Sequence, residues 1–462
     1  MVPARWSLWA TLVAVGVAVA LRRRSGVPAM VGALAVGIAV VGPSVAWHVH
    51  RLHSGELPRL ASRHAGVVAV VKLVRDPVPA ASNPSLLVVD ATVVRVRAGG
   101  WRPAGAPVLV LARGSAWRDL LPGQRVQTQA RLSPPRAGDD VAAVLDAIGV
   151  PTLVGRPPWW QRAAGRARAA LRRACAGLAA DERGLLPSLV EGDTSGVPQR
   201  LRDDMQITGL SHLEAVSGEN LGIVLGVTLA AMRGVGLRRR TRVAGAAVAV
   251  AGFVVLARPS PSVQRAAVMS AVMLLAMMTG RRTAARSSLA VAVTGLAVLD
   301  PFLARSVGFV LSVVATAGIV VLAPAWARWL GSRLPRPLAL AIAVAAAAQL
   351  ACTPVLILAF GQLTPYAIPA NLVAGPAVVP ATVLGVAAAV VAPFSSTLVA
   401  PFVWAGSLPT AVVASVAHRF AALPGAATTV APPASIVIAA GVMIVLLRAA
   451  RRAGAASPRE IL

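Results

Sequence analysis

TGLSHLEAVSGEN, residues 208–220, places a histidine, two carboxylates, a serine and an asparagine within thirteen residues and leads directly into the apolar segment Leu221–Met232. Ionisable groups at the mouth of a membrane helix are costly to keep there, so by default they mark a pathway or a site. Both the fold and the function of the chain therefore depend on residues 208–220, which we call the entrance segment.

The rest of the chain has the composition of a membrane protein. Hydrophobic residues make up 56% of the 462 residues and charged residues 13%, whereas soluble domains are about 45–50% apolar and about 25% charged. The apolar residues are grouped in blocks of about 15–25, which is the length that crosses the hydrocarbon core. We therefore predict a polytopic α-helical membrane protein.

The formal net charge of +28 has two competing explanations. One is the positive-inside rule, by which cytoplasmic loops collect arginine. The other is a polyanionic partner such as nucleic acid. Many arginine clusters lie in short loops between apolar blocks, so the first explanation accounts for much of the charge.

Residue usage excludes several kinds of chemistry. Lys72 is the only lysine, so the chain has no Gly-x-x-x-x-Gly-Lys phosphate loop and no ATPase motif of that type. With only Cys175 and Cys352, a disulfide framework and a cysteine-type zinc site are excluded, and two free thiols are expected. The histidines near residue 50 are interpreted as a solvated cluster in preference to a metal site, so we expect no metal and no cofactor.

The chain is predicted to divide into five parts. Its first apolar blocks flank Arg22-Arg23-Arg24, which indicates a hairpin with a cytoplasmic tip. In order, the parts are a transmembrane hairpin (1–50), an extracytoplasmic β-domain (60–156), an amphipathic interfacial linker (157–200), a transmembrane domain (205–450) and a basic cytoplasmic tail (451–462).

The β-domain is predicted from alternation of period two. In Gln124–Leu132, apolar or small residues occupy the even positions from 126 and polar residues the odd ones, and Arg95 and Arg97 share a face in the same way. About five such strands predict a small barrel or sandwich. It has too few apolar runs to lie in lipid, so we expect it on the outer side of the membrane.

Apolar segments of the transmembrane domain predict about nine spans, and the amino-terminal hairpin brings the total to about eleven transmembrane helices. Arginine clusters between the spans fall on one side, which we assign to the cytoplasm. The spans lie at roughly 212–232, 243–257, 261–280, 287–299, 302–323, 337–360, 366–392, 396–417 and 434–448, and the clusters at Arg238–Arg242, Arg281-Arg282, Arg328/Arg333 and Arg448–Arg452.

The linker includes Trp159–Leu178, which carries a pair of tryptophans and a basic face. A helix of this composition suits the lipid headgroup region. A solvated helix that connects two domains explains the pattern equally well.

Five stretches between about Leu185 and Leu384 occur in a distinctive order. They are Glu191-Gly192-Asp193; Gly209–Leu213 running into Ala215–Gly218; Pro261–Met269; Asp300-Pro301 followed by Ser306–Ser312; and Gly361–Leu363 followed by Ala370–Ala377. Together they resemble the ComEC-type competence permeases, the channels that take up DNA in naturally transformable bacteria. The β-domain similarly resembles the OB-like domain of that family.

The resemblance implies a multi-pass channel in the bacterial plasma (inner) membrane that imports single-stranded DNA during natural transformation. The channel would be a permease and no enzyme. Its partners would be single-stranded DNA, the lipid bilayer, and separate polypeptides that serve as DNA receptor, nuclease and cytoplasmic ATPase. An oligomer is compatible with this role.

Two features depart from the family pattern. Glu219 follows Ser217-Gly218 where the family has a small or apolar residue, and a carboxylate repels a polyanion at close range. Many members also carry a carboxyl-terminal metallo-β-lactamase-like domain. No His-x-His-x-Asp-His zinc pattern occurs in this chain, so we expect any nuclease to be another polypeptide.

The candidate channel entrance has two interpretations. If the segment is helical, His212, Glu219 and Asn220 share a face and Ser217 is set off from it. Alternatively, Ser217-Gly218 is a helix break whose hydroxyl satisfies backbone donors. The residues assigned to the entrance are Asp193, His212, Ser217, Gly218, Glu219 and Asn220.

Candidate residues elsewhere also have a structural alternative. Gln264 and Arg265 are candidates for DNA contact, or Arg265 snorkels to the headgroups. Polar lining of the channel is predicted at Gln349, Gln362 and Asn371, which interhelical hydrogen bonds explain equally well. In the β-domain, arginines beside a tryptophan suit single-strand binding, or serve only solubility; the candidates are Arg95, Arg97, Trp101, Arg113 and Arg131.

Two rival functions remain. One is transport of another anionic or lipidic solute on the same scaffold, which Glu219 favours. The other is an intramembrane hydrolase that uses Ser217 with His212. Their spacing places them on different faces of one helix, and no third orienting group is evident.

Overall fold

The computed structural model describes residues 42–80, 83–136, 138–214, 216–257, 261–279, 285–426, 428–429, 434, 436 and 438–445. These residues fall into two compact units. The first holds the described residues up to Arg166 together with Val298–Phe302, and the second holds the others. Most of the predicted hairpin (1–50) and all of the predicted tail (451–462) lie outside the described residues.

The first unit is built on a six-stranded sheet. The strands are β1 (Gly66–Leu73), β2 (Val78–Ala80), β3 (Asn83–Arg97), β4 (Trp101–Arg113), β5 (Arg125–Ser133) and β6 (Ala143–Gly155). Their order is β1-β5-β6-β4-β3-β2, and β1 also pairs with β3, so five strands close into a barrel. Only β4 and β6 pair in parallel. A helical segment over 42–53 and the helices α1 (Glu56–Ser62) and α2 (Ser115–Arg118) accompany the sheet.

Alternate side chains fill the barrel. In β5, residues 126, 128, 130 and 132 are buried, and the residues between them are exposed or half-buried. The predicted alternation and the β-rich region are therefore confirmed. Burial of an aliphatic side chain stabilises a fold by about 1.5–3 kcal/mol, so this stripe fixes the register of β5 between β1 and β6.

The second half of the chain is helical. The helices are α3 (Trp159–Ala174), α4 (Ala180–Glu191), α5 (Gln199–Ile207), α6 (Gly218–Gly234), α7 (Arg239–Ala257), α8 (Pro261–Thr279), α9 (Ala285–Leu299), α10 (Val307–Gly331), α11 (Arg336–Phe360), α12 (Ala367–Val391) and α13 (Ser396–Ala421). Short 3-10 turns cover Thr194–Gly196, Ser211–Leu213 and Leu303–Arg305, and two short strands, β7 (Gln362–Leu363) and β8 (Thr428–Thr429), pair with each other.

Five helices, α7 and α10 to α13, are long and apolar enough to cross a membrane. Shorter apolar segments cover Ser262–Met278 in α8 and Ser288–Leu299 in α9. The chain is therefore a helical membrane protein, and the total of about eleven spans stays a prediction. The predicted arginine clusters at 281–282 and 448–452 lie outside the described residues.

The predicted thiol state is also confirmed, since Cys175 and Cys352 are both free.

Around the entrance segment, one core joins α4, α5, α12 and α13. Leu185 and Leu189 of α4 pack with Met205 of α5 and with Ala374 and Val413 of the two long helices. This core holds the loops between α4 and α6 in place.

Candidate functional site

The entrance segment is not one helix. Residues 211–213 form a 3-10 turn, and α6 begins only at Gly218, so the predicted span from 212 and the shared face of His212 with Asn220 are wrong. The reason is local, because Ser217 is extended (φ −95°, ψ 164°) and its Oγ accepts a hydrogen bond from the backbone N–H of Asn220 at 3.3 Å. Ser217 therefore caps α6, as the helix-break alternative predicted.

Asn220 joins two helices inside the unit. Its side chain is fully buried, and Nδ2 donates to the carbonyl of Leu189 in the last turn of α4 at 2.8 Å. A buried carbonyl that loses its donor costs about 1–3 kcal/mol. Asn220 therefore positions α6 against α4 and is not exposed at a surface.

Arg265 of α8 lies beside the first turn of α6. A Cβ added at Gly218 would lie 3.3 Å from Arg265 Nη2, and the backbone N–H of Gly218 donates to Ser262 Oγ at 3.3 Å. Glycine at 218 thus lets the two helices approach closely. The guanidinium lies beside the amino-terminal end of α6, where the helix dipole favours an anion.

The guanidinium of Arg265 is buried. The residue is 4% exposed, and in the part of the chain that the structure describes, neither Nε nor Nη1 has a hydrogen-bond partner. By contrast, buried Arg168 of α3 donates to the carbonyls of Val255 and Leu256, each at 2.8 Å. Burying a charge whose donors lack acceptors costs several kcal/mol, so two donor atoms of Arg265 are buried at a cost in free energy. The snorkelling alternative does not fit its burial.

Asp193 belongs to the turn that adjoins this region. It caps the 3-10 turn Thr194–Gly196, and its carboxylate accepts hydrogen bonds from Ser195 and, at 2.6 Å, from Arg172 of α3. Burial alone raises the pKa of Asp193, but the hydrogen bonds from Ser195 and the charge of Arg172 outweigh it and hold the pKa below its ordinary value.

Three of the quoted stretches meet here. A Cβ at Gly192 would lie 3.4 Å from Val216 Cγ2, so Glu191-Gly192-Asp193 adjoins the end of the entrance segment. Arg265 adjoins Gly218 in turn. His212 and Glu219 are exposed, and His212 Nδ1 donates to the carbonyl of Gly209 at 3.1 Å. The side chain of Ser217 makes its hydrogen bonds to Asn220, and that of His212 to Gly209. In the part of the chain that the structure describes, no hydrogen bond joins Ser217 to His212.

Glu214 is a member of the entrance segment that we did not single out from the sequence. It is 7% exposed, and its Oε1 has no hydrogen-bond partner in the described part of the chain. Burial raises the pKa of Glu214 to about 7; Arg202 lowers it and Asp203 raises it further. The signal in the sequence was only its place between two apolar residues.

We expect Glu214→Gln to change how stability depends on pH. The folded-state pKa of about 7 lies above the ordinary value of 4.5, so the carboxyl's contribution is full below pH 4.5 and is lost as pH rises through 7. The loss amounts to at most about 3 kcal/mol before solvent screening reduces it. Thermal unfolding in nanodiscs at pH 5 and pH 8 measures it: the glutamine variant should gain on the parent at pH 8. A difference that is equal at both pH values contradicts this.

The predicted polar lining residues make local or interhelical hydrogen bonds. Gln349 Nε2 donates to Thr364 Oγ1 at 3.1 Å, and Gln362 Oε1 accepts from Gln206 at 3.4 Å. Asn371 Nδ2 donates to the carbonyl of Ala367 one turn earlier in α12 at 2.7 Å. The structure therefore gives each of them a protein partner.

In the first unit, three of the predicted DNA-contact residues come together. The guanidinium carbons of Arg95 and Arg97 each lie 5.4 Å from the centre of the Trp101 ring, and all three side chains are exposed. Arg131 of β5 pairs with Gly66 of β1, and Arg97 of β3 pairs with Val68 of β1. Because residues 66 and 68 are two apart on the same strand, Arg131 and Arg97 lie on one face of the sheet in neighbouring rows. Arg113 lies at the other end of β4 and does not join them.

A histidine that bridges two aspartates was not predicted from the sequence. His418, near the end of α13, lies with Nδ1 2.6 Å from Asp204 Oδ2 of α5 and with Nε2 2.9 Å from Asp181 Oδ2 of α4. These residues are far apart along the chain, so no local pattern indicated them. The bridge connects three helices of the core that supports the entrance segment.

Comparison with known proteins identifies one family. The model of the family described as "Competence protein" matches residues 189–453, more than half of the chain. The match includes the entrance segment and α8. No curated protein and no solved structure matches the chain.

Proposed function

Because the chain belongs to the competence protein family, we propose that it is an inner-membrane channel that imports single-stranded DNA during natural transformation. In this proposal the entrance segment, together with Asp193 and Arg265, forms the outer mouth of the conduit. The DNA strand carries one phosphate charge per nucleotide, so the mouth must offer positive potential where water is scarce.

The observation that carries the proposal is the buried guanidinium of Arg265. A buried guanidinium whose Nε and Nη1 lack acceptors is maintained against its desolvation penalty. Its planar fork matches the oxygens of a phosphate group, and the adjacent amino-terminal end of α6 favours the same anion. A passing phosphate would supply the acceptors that Nε and Nη1 lack.

The barrel supports a receiving role for the first unit. Its strand pairing, with a closed five-stranded barrel and one parallel pair, supports the proposal that it is OB-like. The exposed ring of Trp101 between two guanidinium groups supports base stacking and phosphate contact together. We assign the first contact with the strand to this surface.

Transport requires partners that we also propose. A separate DNA receptor would deliver the duplex, a separate nuclease would remove one strand, and a cytoplasmic ATPase would pull the other. An oligomer of the chain is compatible with these roles.

The rival function is transport of another anionic or lipidic solute. The exposed carboxylate of Glu219 favours it, since Glu219 lies in the first turn of α6 beside the proposed mouth. A carboxylate that binds a coupling cation is useful to a solute transporter and repels DNA.

Glu219→Gln separates the two functions. For a DNA channel we expect uptake to rise severalfold, because removal of one exposed like charge is worth about 1 kcal/mol. If the carboxylate binds a cation, transport is abolished instead. Import of radiolabelled single strands by intact cells, at equal membrane levels of both proteins, measures the outcome.

The proposed function itself is tested by deletion of the gene. Cells without the chain should bind labelled DNA at the surface and fail to make it resistant to external nuclease. Expression of the parent chain should restore protection. Undiminished internalisation in the deletion strain contradicts the proposal.

A further inference from the structure

The end of strand β6 exposes a row of large apolar side chains. Ile148 is 61% exposed, Val150 76% and Leu153 63%, and Val154 is also exposed. An exposed apolar cluster of this kind in a folded domain marks a surface that meets another apolar phase. Single exposed apolar residues are ordinary, but four within seven positions of one strand are not.

The strand geometry accounts for this exposure. On β5, Gln127 and Gln129 are two residues apart, but their partners on β6, Thr152 and Ile148, are four apart. The extra residues form a bulge at Gly149, whose φ of +77° lies in the left-handed region that glycine favours. The bulge bends β6 out of the barrel wall and turns Ile148 and Val150 towards the surroundings.

Two exposed tryptophans follow directly in the same unit. Trp159 is 68% exposed and Trp160 is also exposed, and their rings meet edge to face with centres 5.9 Å apart. Tryptophan is enriched at the membrane–water interface, where its ring lies among the headgroups while its N–H stays hydrated. The pair begins four residues after the end of β6 and adds exposed aromatic surface to the same unit.

The charge pattern identifies the kind of partner. Residues 147–180 contain six arginines and no aspartate or glutamate. Within the first unit, Arg156, Arg162 and Arg166 are exposed and follow the apolar row along the chain. One exposed acid, Asp146, lies on the same strand two residues before Ile148. Apolar and aromatic side chains bordered by an excess of arginine over acid suit a surface of anionic lipid.

We propose that this surface, formed by Ile148, Val150, Leu153, Val154, Trp159 and Trp160 and called the β6 edge, inserts among the headgroups of an anionic bilayer. The barrel unit is then held at the lipid surface by its own side chains in addition to its covalent connection to the membrane helices. This lipid contact is independent of the proposed DNA channel, since it requires no nucleic acid.

The test measures the depth of a spin label in the full-length chain. Val150→Cys is labelled with a nitroxide in a background with Cys175→Ala and Cys352→Ala, and the protein is placed in nanodiscs that contain phosphatidylglycerol. We expect the ratio of accessibility to oxygen over accessibility to a nickel chelate to be severalfold higher than at Ala98→Cys, an exposed position in the β3–β4 turn. Oxygen partitions into lipid and the charged chelate does not.

Two results overturn the proposal. If the Val150 label is as accessible to nickel as the Ala98 label, the edge faces water. If it is shielded from both reagents, a protein partner or a second copy of the chain covers it. Replacement of phosphatidylglycerol by phosphatidylcholine should reduce the ratio, and an unchanged ratio removes the electrostatic part of the inference.

Discussion

Replacement of Arg265 by alanine is expected to reduce import of labelled single-stranded DNA by about 10- to 100-fold. The estimate follows because a hydrogen bond to a charged group contributes about 1.5–3 kcal/mol, and each 1.4 kcal/mol is tenfold. The variant also removes a buried charge that has no partner at Nε and Nη1, so the folded protein should be no less stable than the parent. Import by intact cells is compared at equal membrane levels.

Two further variants make the result specific. Arg265→Lys keeps the charge and loses the planar fork, so an intermediate rate is expected. Arg328→Ala removes the same net charge from an exposed position in the last turn of α10 and should import at the parental rate. Parental import by Arg265→Ala contradicts the assignment of Arg265 to the conduit, even if the chain still imports DNA.

Replacement of Gly184 by alanine is expected to destabilise the membrane unit by about 3 kcal/mol, near the upper end of overpacking changes. A Cβ at Gly184 of α4 would lie 2.6 Å from Val197 Cα and would overlap the carbonyl of Gly196. These are backbone atoms, so the 3-10 turn capped by Asp193 has to move away. We expect a thermal midpoint several degrees lower in nanodiscs.

Gly222→Ala is the matched control for this variant. Gly222 lies inside α6 with open space at its Cβ position, so alanine should leave the midpoint unchanged or raise it through helix propensity. Because the Asp193 turn adjoins the entrance segment, Gly184→Ala should also reduce DNA import. A parental midpoint for Gly184→Ala would contradict the close approach of the two backbones.

Local patterns predicted the elements well because they depend on neighbouring residues. Alternation in Gln124–Leu132 and the apolar blocks of α10 to α13 are properties of short windows. The break before α6 was also within reach, since Ser217 followed by Gly218-Glu219 is a helix-start signal. The predicted span, placed from about residue 212, began before the apolar segment Leu221–Met232 and therefore ran across this signal.

The contacts of the site were beyond such patterns. Asp193 meets Arg172 across a turn and two helices, and His418 meets residues more than 200 positions away. The burial of Glu214 and Arg265 depends on which helices surround them, and the sequence does not specify that packing locally. The partners and the burial of the charged residues in the site therefore depend on contacts between distant parts of the chain. The periodicity of a single sequence carries no information on such contacts.

The histidine bridge has a mechanical consequence for the entrance. Because His418 contacts both Asp181 and Asp204, the end of α13 cannot shift without breaking a bond or moving α4 and α5 with it. The far end of α4 carries the Leu189 carbonyl that holds Asn220. A displacement of the end of α13 is thus transmitted through α4 to Asn220 and the first turn of α6.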